Sequence, residues 1–151
     1  MLPVAVRAWS QHGIGAVVFL VGKGWKAGNP WLDFVKASVL EVPGTYVVHV
    51  SEQIPSATTR RVVQLSQMMR QYAALLPFDD DIWLITTDSD IMPIRPDPLL
   101  VPPPKSKERE HHVALFNSEC CGPWPVPGSE TPMYPMHAVI ARKRTWVALL
   151  N

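Results

Sequence analysis

Four or five short apolar runs recur along the chain, separated by polar or turn-forming stretches. They lie at 15–22 (GAVVFLVG), 45–50 (TYVVHV), 82–86 (IWLIT), 112–116 (HVALF) and 136–141 (MHAVIA), all of strand length. The runs are continuous rather than alternating, which is how strands buried on both faces read. Between the second and third runs, Val62, Leu65, Met69, Tyr72 and Leu76 follow the spacing of one buried helix face. Ser56 or Thr58 can cap that helix and Pro77 ends it, after which Asp79-Asp80-Asp81 forms the turn into the next strand. The first run is followed by turn chemistry at Lys23-Gly24 and by the helix-start pair Asn29-Pro30. A short helical stretch near 7–11 precedes it. The pattern predicts an α/β fold: a mostly parallel sheet with helices on both faces.

A length of 151 residues predicts a single domain, 1–151, large enough to bury a core. Apolar residues make up 47% and charged residues only 18%, so part of the folded surface is expected to be apolar and able to meet a partner, a further segment or a membrane face. Eleven of the 16 prolines fall between Pro93 and Pro135, which marks 95–110 and 117–134 as long loops that can face a substrate. No internal repeat is present.

A net charge of +1, with no basic run longer than Arg142-Lys143-Arg144, argues against a nucleic-acid binder. The two cysteines, Cys120 and Cys121, are adjacent, which strains a mutual disulfide and fits no zinc spacing. There is no signal-peptide order at the start and no apolar run near the roughly 20 residues that span a bilayer. With no targeting segment visible, a cytoplasmic setting is the default expectation. The Golgi or another secretory membrane is the alternative if the chain is a piece of a longer one.

The chemistry concentrates in 82–93, where an apolar strand delivers Asp88-Ser89-Asp90 at its end. In open α/β sheets ligands bind at that edge. Carboxylates at i and i+2 of an extended segment point the same way and can face one hard cation, directly or through water. Such a cation neutralises a diphosphate and so stabilises it as a leaving group.

The stretch resembles the Asp-X-Asp motif of GT-A type glycosyltransferases. The preceding helix, with Arg70-Gln71-Tyr72-Ala73, is similar to the arginine-bearing helix that leads into this strand in that family. The run from Tyr134 to Ile140, followed by Trp146, also resembles its counterpart, so the likeness covers roughly 14–147. The resemblance implies metal-dependent binding of a nucleotide-diphosphate sugar, with Mn²⁺ or Mg²⁺, and transfer of the sugar to an unknown acceptor. It implies that Asp88 faces the ribose or the metal and that Asp90 ligates the metal. Arg70 lies away from the apolar stripe, free to reach a phosphate, while Arg61 sits nearer its edge.

His137, inside the last run, is a candidate further metal ligand, the alternative being a core histidine with a hydrogen bond. Glu119 is a weak candidate base should transfer invert the sugar centre. Trp124 could stack on a sugar ring or anchor its loop. His111 and His112 read as solvated residues at a strand start.

The family's opening strand is missing from this chain unless 15–22 takes its place, and the chain stops about where members continue into acceptor-binding segments. A fragment or reduced member is therefore expected. Two other classes compete. A haloacid-dehalogenase-like phosphatase also carries Asp-X-Asp after an apolar strand, with the first Asp as nucleophile and the second as general acid/base. That motif normally sits on the first core strand and continues into Gly and Thr, whereas Ile91-Met92 follow here. The remaining class is a non-catalytic α/β module, or a degenerate glycosyltransferase fragment, whose apolar edge docks a partner.

Overall fold

A computed structural model describes residues 1–25, 28–50, 59–93, 113–115 and 138–151, without the side chains of 59 and 60. In chain order the elements are α1 (Leu2–Gln11), β1 (Ala16–Val21), α2 (Pro30–Leu40), β2 (Thr45–Val50), α3 (Thr59–Met69), β3 (Trp83–Thr87), β4 (Val113–Leu115), β5 (Ala138–Arg142) and α4 (Lys143–Leu150). Short 3-10 segments lie at Lys23–Trp25 and Arg70–Leu75. The chain divides into two compact units: Met1–Ala73 with Ser89–Pro96, and Ala74–Asp88 with Asp97–Asn151.

In the first unit, β1 and β2 run parallel, with Ala16 opposite Thr45 and Val21 opposite Val50. Both strands start at a close approach of two glycines, where the Gly44 carbonyl accepts from Ala16 N–H at 3.1 Å. Helix α2 connects them and begins where the sequence indicates: Asn29 Oδ1 accepts from the Trp31 and Leu32 amides at 3.1 and 3.4 Å, and Pro30 takes a position that needs no N–H. Val18 and Leu20 of β1 meet Val6 of α1, Val39 of α2 and Val42 just beyond that helix, with Leu2, Ala16, Trp25 and Val47 packed around them. Each fully buried side chain of this kind contributes about 1.5–3 kcal/mol over its exposed state. Helix α3 also contacts β1, and a Val62 methyl comes within 3.0 Å of where a side chain at Gly22 would begin.

The second unit is built on β5, which pairs antiparallel with β3 on one side and β4 on the other. Ala138, Val139, Ile140 and Ala141 are all buried. Val139 and Ala141 join Ala74 and Trp146 in a core covered by Leu84, Leu115, Val147 and Leu150. Strand β3 starts from a charged turn: Arg142 reaches Asp81 at 2.9 Å, Lys143 reaches Asp80 at 2.9 Å, and Lys143 Nζ also donates to the Phe78 carbonyl. Arg144 lies 3.3 Å from Asp81, and the Arg142 guanidinium sits 5.2 Å over the Trp83 ring.

The fold is thus mixed α/β, with a two-stranded parallel sheet and a small antiparallel one. The described strands do not form the mostly parallel sheet that the sequence predicts. The reason is physical: β5 is a continuous apolar run because it is central and covered, and burial on two faces leaves the same signature whichever way the neighbouring strands run.

Candidate functional site

Strand β3 is positioned by its pairing with β5, which sets Trp83 opposite Arg142 and Thr87 opposite Ala138. Thr86 is buried, with its hydroxyl 3.5 Å from the Val139 carbonyl, so the strand's last turn inward is fixed to the sheet. Thr87 Oγ1 donates to the Asp88 carbonyl at 2.7 Å. The chain then leaves the strand: Asp88 follows β3 directly, and Ser89 and Asp90 form a turn. All three residues are exposed. Beyond the turn, the Ile91 carbonyl accepts a hydrogen bond from the Trp9 indole.

Asp88 and Asp90 therefore come just beyond the C-terminal end of a sheet-bound strand and both are exposed, but Ser89 and Asp90 form a turn rather than the extended segment that the sequence predicts. Asp88 is the last residue of its segment of the second unit, and Asp90 belongs to the first. Their oxygen donors are of the hard type that magnesium and manganese take, with water and phosphate oxygens able to fill remaining positions. Among the described residues, the Asp90 carboxylate makes no ion pair, and no group of three or more His, Cys, Asp or Glu side chains gathers where it could hold a metal.

Arg70 opens the 3-10 segment and is half-buried, and its Nε donates to the Gln67 carbonyl at 2.9 Å. That nitrogen is committed to the preceding helical turn. Arg61 is exposed on α3. Glu119, His137, Trp124, His111, His112 and the cysteine pair lie outside the described residues, as do most of the two proline-rich loops. The basic run 142–144 is engaged in ion pairs with Asp80 and Asp81. No helix among the described residues is long and apolar enough to cross a membrane.

The parallel pair has a C-terminal edge of its own. After β1 the chain turns at Gly22, whose φ of 99° is a left-handed conformation suited to glycine, and passes through Lys23–Trp25 toward α2. Asp33, in the first turn of α2, accepts from Gly28 N–H at 3.1 Å and pairs with Lys36 at 2.7 Å. The hydrogen bond from Lys36, and then that from the Gly28 amide, hold its carboxyl below the usual carboxylate range.

The Trp9 contact is what reading the sequence missed. A buried indole needs an acceptor for its N–H, but nothing in the spacing says that the acceptor lies 82 residues away. Comparisons of the chain with protein-family models, with curated proteins and with solved structures each return no match.

Proposed function

We propose that the chain binds a nucleotide-diphosphate sugar through a divalent cation held by Asp88 and Asp90, and transfers the sugar to an acceptor, in the manner of the GT-A glycosyltransferases that its sequence resembles. The observation that carries the reading is the Asp88-Ser89-Asp90 stretch leaving the C-terminal end of a sheet-bound strand with its carboxylates exposed. Manganese or magnesium fits the oxygen donor set, and when bound it supplies positive charge that stabilises the departing nucleoside diphosphate. A GT-A-like architecture is part of the same proposal. Arg70 as a phosphate contact, His137 as a further ligand and Glu119 as the base of an inverting transfer are its subsidiary parts.

The test is calorimetric titration of uridine or guanosine diphosphate with and without Mn²⁺, on the wild type and on Asp90→Ala. Nucleotide binding that Mn²⁺ strengthens, with the metal-dependent gain falling at least about tenfold on loss of a carboxylate ligand, is expected. Binding of equal strength in the variant sinks the metal role.

One observation favours a second reading, a non-catalytic interaction module. Trp31 and Phe34 on α2 are 81% and 67% exposed, two large aromatic side chains that the described residues leave uncovered. Failure of every nucleotide and metal combination to bind selects that reading.

A further inference from the structure

Helix α1 buries Ala5, Val6 and Trp9, and Trp9 as a residue is 8% exposed. Its Nε1 donates to the Ile91 carbonyl at 3.1 Å, partly shielded from water. An indole N–H is fixed in the plane of its ring, so a buried tryptophan offers a donor with few torsions of its own. Ile91 directly follows Asp90, and Ser89 and Asp90 form the turn that leads to it.

We infer that Trp9 is a positioning residue for Asp90, acting through the Ile91 carbonyl to order the turn that presents this carboxylate to a divalent cation. The inference rests on the metal-linked reading above. A carboxylate on an exposed turn samples many backbone states, and ordering them on binding has an entropic cost. Fixing the peptide group one residue beyond Asp90 removes part of that cost in advance. The bond is partly buried and neutral on both sides, and a bond of this class, when lost, is expected to weaken cation binding by about fivefold.

The experiment titrates Mn²⁺ into full-length wild type and Trp9→Phe in the presence of UDP, and UDP into each protein without metal, below the unfolding transition of both. Phenylalanine keeps an aromatic ring and removes the N–H. The expected result is Mn²⁺ binding about fivefold weaker in the variant, with metal-free UDP binding unchanged. Should Trp9→Phe fail to fold, benzothienylalanine at position 9 preserves the two-ring shape without the donor and serves the same comparison. Equal Mn²⁺ affinity in variant and wild type overturns the positioning role while leaving the proposed function in place. Parallel loss of Mn²⁺ and metal-free UDP binding also overturns it, since a general structural role would do that. Absence of Mn²⁺-linked UDP binding in the wild type removes both proposals.

Discussion

Replacing Gly15 by alanine tests the geometry on which the parallel sheet rests. A Cβ at Gly15 would stand 2.7 Å from the Gly44 carbonyl oxygen and 3.7 Å from its carbon. The obstacle is backbone and cannot swing aside as a side chain would. It is also the acceptor for Ala16 N–H, so moving Gly44 away weakens the first rung of the β1–β2 ladder. Overpacking of this kind costs about 1–3 kcal/mol and the impaired hydrogen bond about 1 kcal/mol more. Against this, Gly→Ala at a backbone conformation that alanine tolerates stabilises by about 0.4–1 kcal/mol through the unfolded state. The net expectation is destabilisation by about 1–3 kcal/mol, and even its sign is informative. Urea unfolding followed by far-ultraviolet dichroism measures the magnitude, and amide exchange at Ala16 reports the location. Gly13→Ala is the control: its φ of 74° is unfavourable for alanine, but nothing lies within 4 Å, so protection at Ala16 should persist. A neutral or stabilised Gly15→Ala protein with Ala16 still protected would refute the close approach.

Lys143→Met should destabilise by about 1.5–3 kcal/mol, because it removes a charged donor from a hydrogen bond to a main-chain carbonyl. The lysine side chain is only 12% exposed, whereas Asp81 is 65% exposed, so Asp81→Asn should cost less than about 1 kcal/mol and lose its effect in 1 M salt; thermal unfolding of the two at low and high salt decides this. Asp33 has a folded-state pKa below its unfolded value, so its contribution to stability is fully present above the unfolded pKa and is lost as pH falls through the folded one. The gap in unfolding midpoint between wild type and Asp33→Asn should therefore narrow on acidification across that window, and a gap independent of pH would contradict the Lys36 and Gly28 hydrogen bonds.

Much of the fold was legible because its signals are local. The run 45–50 is strand β2 residue for residue, and Asn29-Pro30 caps and opens α2 as the side-chain chemistry of asparagine and the missing N–H of proline require. Helix α1 is longer than the stretch near 7–11 that the sequence indicates, since Pro3 in a first turn needs no hydrogen-bond partner and does not stop a helix there. The apolar stripe from Val62 to Leu76 is realised only in part: Val62, Leu65, Met69 and Leu76 are half-buried, Tyr72 is exposed, and the helix changes winding at Arg70, which breaks the 3.6-residue repeat that the stripe assumes. Helix α4 went unread: with eight residues its apolar positions barely repeat, although Trp146, Val147 and Leu150 all join the core. Strand direction was legible for the first two runs, which are parallel across helix α2, but not for β3, β4 and β5, since it depends on which run pairs with which.

The charged residues around β3 show why only part of the candidate site could be read. The triplet Asp79-Asp80-Asp81 and the run Arg142-Lys143-Arg144 look independent in sequence, one a turn and the other a small basic patch. Antiparallel pairing sets Trp83 opposite Arg142 and makes the two runs partners. At the start of β3 the protein thus neutralises its own acidic residues with lysine and arginine. At the end of the same strand Asp90 is exposed and has no ion pair among the described residues. A carboxylate of the first kind contributes to holding an edge of a sheet, and one of the second kind stays available to a cation from solution. The sequence marks 79–81 as a turn and Asp88-Ser89-Asp90 as a metal-facing pair; the pairing of β3 with β5 explains the first cluster by giving Asp80 and Asp81 their cationic partners.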